Sequence, residues 1–246
     1  MQRPRRVAGL DARRLVLSDE ELGESRLLPT LAIVTSASLY ATLPSRFIAG
    51  PSAGIFSLAR WIVPALTGLL LVALVASVPQ GRLVRRLGLR VAQVRVGRRA
   101  LVLSVTAIVS AANASSIVLL VHLLVNGAHA QAPLLLRAGI HMWCLNVLVF
   151  TLWFWELDAG GPVARRQARL ADRDFLFPQQ STPELAPDWQ PRFLDYLYVS
   201  FTNATAFSPT DAMPLSRWAK TLMLVESAAS LVLALMVAAR AVNILK

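Results

Sequence analysis

Cysteine is nearly missing from this chain, and a class of chemistry goes with it. Cys144 stands alone among 246 residues, so an internal disulfide, a CxxC redox pair and a thiolate metal cluster are all excluded. It lies in an apolar run and reads as a small buried apolar residue. Histidine is scarce too. His122, His129 and His141 lack ligand spacing such as HxxxH, so each reads as an interhelical hydrogen-bonding residue. Acid is short: 14 Asp and Glu stand against 25 Lys and Arg, for a net charge of +11. Charge of both signs reaches only 16%, where a soluble domain carries about 25%. The chain has no GxSxG, P-loop, GxGxxG or HExxH signature, so no enzyme activity and no cofactor are expected.

What is present is hydrophobicity, at 55% of residues and a mean hydropathy of +0.54. The basic residues fall in clusters between long uncharged runs. That pattern excludes a disordered chain and an ordinary nucleic-acid-binding domain, and leaves a polytopic membrane protein. The expected fold class is all-α: a transmembrane helical bundle with five full spans plus a short sixth span or re-entrant pore helix.

Spanning a hydrocarbon core takes roughly 20 apolar helical residues. Runs 27–45, 61–79, 100–126, 138–155 and 221–239 qualify, the first interrupted by Pro29 and Pro44, the last carrying Glu226. Turns are marked by Pro44 and Gly50-Pro51, by Asn126-Gly127 with Pro133, and by Gly160-Gly161-Pro162. Four regions follow: a basic then acidic tail over 1–26, four transmembrane helices over 27–156, a soluble connection over 157–192 and a C-terminal module over 193–246. No signal-peptide h-region follows the first arginines, because 18–24 is acidic, and the N-terminus is read as retained.

Arginine sets the expected orientation. Arg82, Arg85, Arg86, Arg90, Arg95, Arg98 and Arg99 crowd a loop at 80–99 that has no acid, and Arg3, Arg5, Arg6, Arg13 and Arg14 crowd the tail. The positive-inside rule places both on the cytoplasmic side of an inner (plasma) membrane, with the loop facing anionic lipid headgroups and no nucleic acid.

The segment from Ser200 to Pro214 resembles the pore module of tetrameric potassium-type cation channels. The pattern S-x-x-T-A-T-T-V-G-Y-G-D-x-x-P lies on it without gaps: Ser200, Ala204, Thr205, Asp211 and Pro214 match, and Ala206, Phe207, Ser208, Pro209 and Thr210 take the filter positions. The resemblance implies a homo-oligomer, a tetramer if it conducts, with Thr205 to Asp211 forming the candidate filter and inorganic cations as ligands. Ser208 and Thr210 replace both filter glycines and Pro209 fixes its own φ, so carbonyl caging of potassium is not expected. The motifs WELDxGGP, DFLFPQ and DYLYVSFTNATAFSPTD also resemble those of bacterial polytopic membrane proteins of unknown function.

Parity raises a question. Four spans from a cytoplasmic N-terminus leave the soluble connection cytoplasmic, whereas a potassium-type pore loop enters from outside. Either 193–207 re-enters from the cytoplasmic side, or 193–213 is a short fifth crossing; the crossing is preferred. Asn203 and Glu226 are candidate cavity residues, with pairing of Glu226 to Lys220 or Arg217 as the bland alternative. Asn203, Thr205, Ser208 and Thr210 could supply pore oxygens or simply cap helices. Asn113, Ser115, Ser116 and Asn146 read as helix–helix contacts. Glu156 and Asp158 follow an aromatic belt (Trp153, Phe154, Trp155) and read as interfacial caps partnered by Arg165 or Arg166. The leading function is a channel-like pore protein; the alternative is a non-conducting structural or partner-binding membrane subunit.

Overall fold

The computed structural model describes residues 27–44, 46–49, 59–76, 91–125, 132–166, 168–187, 189–205 and 212–244. The basic tail, residues 80–90 of the arginine segment, His129 and filter positions 206–211 lie outside them.

The described chain is almost entirely helical. Three apolar helices are long enough to cross a membrane, at Arg99–Val125, Pro133–Gly160 and Arg217–Ala239. Helix α1 (Leu27–Thr42) is shorter and apolar, with Pro29 in its first turn, where a missing N–H costs no helical bond. After the single turn α2 (Arg46–Ala49) comes α3 (Ala59–Ala76), which holds Pro64 inside it.

Helix α4 (Val91–Val125) runs 35 residues, about 52 Å at 1.5 Å per residue. That exceeds a hydrocarbon core of about 30 Å, so one end projects beyond it. Arg95, Arg98 and Arg99 lie in that end. The second half of the segment expected as a loop is therefore helix: nothing between Val91 and Arg99 breaks it except Gly97, which an interior helix tolerates.

Helix α5 (Ala132–Leu157) is the centre of the bundle, packed against α1, α4 and two C-terminal helices. Ala138, Met142, Leu145, Val149 and Leu152 recur every three or four residues and are all buried. Phe154 and Trp155 are buried as well, at 0% and 3% exposure. They are core residues rather than the interfacial belt their clustering suggested, because the connection after α5 folds back and packs Phe175 and Phe193 against them.

The end of α5 is set by backbone geometry. Ala159, Gly160 and Gly161 all have positive φ, at 50°, 82° and 99°, after which Pro162 opens the short α6 (Pro162–Arg165). A Cβ on Gly161 would lie 3.0 Å from the Glu156 carbonyl oxygen, so the position excludes side chains by both space and φ. The connection then forms β1 (Phe175–Leu176) and the single turn α7 (Pro178–Ser181).

Helix α8 (Phe193–Thr205) has 13 residues, about 20 Å, too short to cross a hydrocarbon core. Strand β2 (Met213–Pro214) follows, then α9 (Arg217–Ile244). Strand β2 pairs antiparallel with β1, Phe175 opposite Pro214 and Leu176 opposite Met213. The start of α8 sits at the same place: Phe175 meets Tyr196 at 6.2 Å and Trp218 at 6.0 Å between ring centroids. Both α8 and α9 therefore start at the end of the bundle where α5 finishes, and they run side by side. Phe193 at the head of α8 and β2 ahead of α9 thus lie at the same end of the bundle.

Candidate functional site

Two connected polar assemblies hold α8 in place. The first joins the three motif segments around Asp158, which is completely buried. Its Oδ1 accepts the backbone N–H of Asp174 at 2.8 Å and of Phe175 at 3.3 Å, and its Oδ2 accepts the Tyr196 hydroxyl. Asp174 returns the link: its Oδ2 accepts the Ala159 N–H at 2.9 Å and its Oδ1 the Trp218 indole N–H at 2.7 Å. One carboxylate therefore ties the α5 end to α8, and the other ties it to α9.

Glu156 and Asp158 were expected to pair with Arg165 or Arg166. Glu156 faces Arg99 of α4 at 3.8 Å, and the Asp158 backbone carbonyl lies 3.5 Å from Arg165 Nη1. Arg165 donates through Nη1 to the Trp155 carbonyl at 2.7 Å, and its guanidinium lies 4.8 Å from the Tyr196 ring centroid. It satisfies a carbonyl in the last turn of α5, where the helix dipole favours a cation. Arg173 is 6% exposed; its Nη2 donates to Gln190 at 2.7 Å, while its Nε and Nη1 have no partner among the described residues. Burial holds its guanidinium below the ordinary range, and the negative Asp158 pulls it back up.

The second assembly lies deeper and centres on Glu226, 0% exposed on α9. Its Oε1 is bonded to the Ser200 hydroxyl, and its Oε2 accepts Asn203 Nδ2 at 2.6 Å. Asn203 Nδ2 also donates to the Met223 carbonyl at 2.9 Å, and its Oδ1 accepts the Ser227 hydroxyl at 2.9 Å. From α5, Asn146 donates to Ser230 Oγ at 3.0 Å and to the Glu226 backbone carbonyl at 3.3 Å. Asn113 of α4 extends the chain by donating to Asn146 Oδ1 at 3.4 Å. Four helices thus meet through side chains in a core where an orphaned polar group costs about 1–3 kcal/mol; Asn113 Oδ1, at the far end of the chain of bonds, is buried with no partner among the described residues.

Of the candidate cavity pair, Asn203 and Glu226 are brought into direct contact. They meet at the α8–α9 interface, and the bland pairing of Glu226 with Lys220 or Arg217 is not seen: both of those are exposed. Thr205 bonds back to the Thr202 carbonyl at 2.9 Å within its own helix, the capping use. Ala206, Phe207, Ser208, Pro209, Thr210 and Asp211 lie outside the described residues. Asn113 and Asn146 are helix–helix contacts as expected, and so is Ser116, which meets the Tyr40 side chain of α1 as well as a carbonyl of its own helix, while Ser115 bonds a carbonyl of its own helix. His141 Nδ1 donates within its own helix, to the Arg137 carbonyl at 2.7 Å. Cys144 is half-buried.

Sequence reasoning overlooked Tyr196, Asp174 and Trp218, and used Ser200 only as a pattern match. One signal was available: Ser200 and Asn203 share a face of α8, and Glu226, Ser227 and Ser230 share a face of α9. Among the described residues no group of three or more His, Cys, Asp or Glu could hold a metal ion. Compared with known protein families, curated proteins and solved structures, the chain matches none.

Proposed function

We propose that this chain is a channel-like pore protein of the inner membrane, in which α8 is a re-entrant pore helix and 206–211 is the filter segment. The observation that carries the reading is the return of the chain: α8 and α9 both begin beside Phe175, and β2 comes back to pair with β1. A helix of about 20 Å, with a strand ahead of the next long helix back at the end where it began, fits the course of a pore module. It also resolves the parity question, because the loop enters from the side that holds the soluble connection. With the arginine-rich end of α4 on the same side, through Arg99 and Glu156, that side is the cytoplasm.

In this reading α1, α3, α4, α5 and α9 are the five spans and the N-terminus is cytoplasmic. The protein assembles as a homo-oligomer, a tetramer, that brings four copies of 206–211 to one axis. The arginine segment rests on anionic headgroups. Asn203 and Glu226 act behind the pore helix, fixing it to α9, rather than lining the wet route. The ligands are inorganic cations, and potassium is not favoured over sodium, since the filter positions hold no glycine. No catalytic step is assigned.

The test is reconstitution in planar bilayers with potassium on one side and sodium on the other. The expected result is cation current with a reversal potential near zero. Strong potassium selectivity would contradict the filter reading, and no current at any voltage would favour the second reading, a structural or partner-binding subunit. That second reading has its own support: the side chains that touch Glu226, Ser200 and Asn203, find their partners inside one chain, which a scaffold requires and a pore does not.

A further inference from the structure

The hydrogens around Glu226 can be counted. Ser200 Oγ contacts two oxygens, the Val147 carbonyl of α5 at 2.8 Å and Oε1 of Glu226. A hydroxyl has one hydrogen to give and a carbonyl has none. Were Glu226 ionised, the single Ser200 hydrogen would have to serve both oxygens, whereas a protonated Glu226 supplies one hydrogen to each contact.

The other carboxyl oxygen is fixed by an amide whose orientation is known. Asn203 Nδ2 lies 2.9 Å from the Met223 carbonyl, which can only accept, so the nitrogen must face that side. The same nitrogen donates to Oε2 at 2.6 Å, and Asn203 Oδ1 is occupied by the Ser227 hydroxyl at 2.9 Å. Oε2 is therefore an acceptor, and the missing hydrogen belongs on Oε1.

We infer that Glu226 is a proton-binding site, seated as the neutral acid with its hydrogen on Oε1. Oε1 donates to Ser200 Oγ, and Ser200 donates to the Val147 carbonyl, a directed chain from α9 through α8 to α5. The surroundings agree from every packed element. Asn146 and Val147 face the group from α5, Ser200 and Asn203 from α8, and Ser227 and Ser230 from α9, while Asn113 of α4 reaches it through Asn146; all are neutral. The ion pairs of Arg99 with Glu156 and of Arg169 with Asp172 lie elsewhere. On α9, Arg217 and Lys220 are exposed, and Lys220 is six residues back, about 9 Å along the axis. On α5, Arg137 is exposed and His141 is engaged with its carbonyl. On α8, Asp195 caps the Arg192 N–H. An ionised Glu226 would be a bare charge in an apolar bundle.

Loss of the proton has a structural consequence. The Ser200 hydrogen would turn from Val147 to the carboxylate, and the α8–α5 link would open. Proton occupancy thus decides how firmly α8 is seated, whether or not the chain conducts.

The test is infrared spectroscopy on the full chain in liposomes, comparing the native protein with Glu226→Gln and Ser200→Ala. The expected result is a protonated-carboxyl stretch that disappears in Glu226→Gln, responds to hydrogen–deuterium exchange and shifts in Ser200→Ala. Loss of an ionised-carboxylate band in Glu226→Gln, with the protonated region unchanged, would overturn the inference. If Glu226→Gln does not fold, carboxyl-labelled glutamate in the native and Ser200→Ala proteins decides it. A shifted protonated band supports the site; identical spectra overturn it.

Discussion

The Tyr196 hydroxyl is bonded to the buried carboxyl of Asp158, tying the head of α8 to the tail of α5 across 38 residues of sequence. Asp158 is held in turn by the backbone of Asp174 and Phe175, and Asp174 holds Trp218 at the head of α9. Helix α8 buries Phe193, Tyr196, Val199 and Ala204 against its neighbours, and these bonds add a fixed register to that packing.

Tyr196→Phe removes the hydroxyl and keeps the ring packing on Phe175 and Phe177. A hydrogen bond to a charged acceptor contributes about 1.5–3 kcal/mol, so thermal unfolding in detergent should show a loss of that size. An unchanged transition would mean the bond does not anchor α8.

Gly161→Ala tests the turn that ends α5. The substituted residue would be held at a φ of 99° with its Cβ 3.0 Å from the Glu156 carbonyl. The expected cost is about 1–3 kcal/mol in the same assay, and Gly161→Asn should cost no less, because φ 99° with ψ 173° is a region that essentially only glycine occupies.

Gly139 of α5 packs against the Val237 side chain of α9 so closely that a Cβ would collide with it. Gly139→Ala alone should destabilise the pair by about 1–3 kcal/mol. Adding Val237→Ala should recover much of that loss, a coupling that only touching residues show. Purely additive effects would place the two helices farther apart.

Glu226→Gln keeps a donor toward Ser200 and an acceptor for Asn203, so its thermal stability should stay within about 1 kcal/mol of the native protein. Glu226→Leu leaves the Asn203 amide short of one acceptor and should cost about 1–3 kcal/mol. The reverse order would show that the site depends on charge.

The long apolar helices were legible in the sequence because length and composition alone define a membrane span, and Gly160-Gly161-Pro162 announced the end of α5. The course of α8 was not legible. Phe193 to Thr205 carries the same composition whether it crosses or returns; what decides is the bond from Tyr196 to Asp158 and the pairing of β2 with β1, both set by residues distant in sequence. The motif strings marked Asp158, Asp174 and Tyr196 as notable without revealing that they meet. Phe154 and Trp155 misled for a similar reason: aromatics at a helix end read as a belt until a connection folds over them. Glu226 was visible as a costly residue, but its partners come from α5 and α8 and no spacing on α9 names them.

If 193–214 enters and returns on one side, both of its ends face the same compartment. With Cys144 replaced by serine, single cysteines at Leu194 and Met213, which are 58% and 64% exposed, can be labelled from each face of the membrane. Both should react with an impermeant reagent from the same side, the side that also labels Leu185 in the soluble connection. Labelling of Leu194 and Met213 from opposite sides would make the segment a crossing and contradict the re-entrant pore helix.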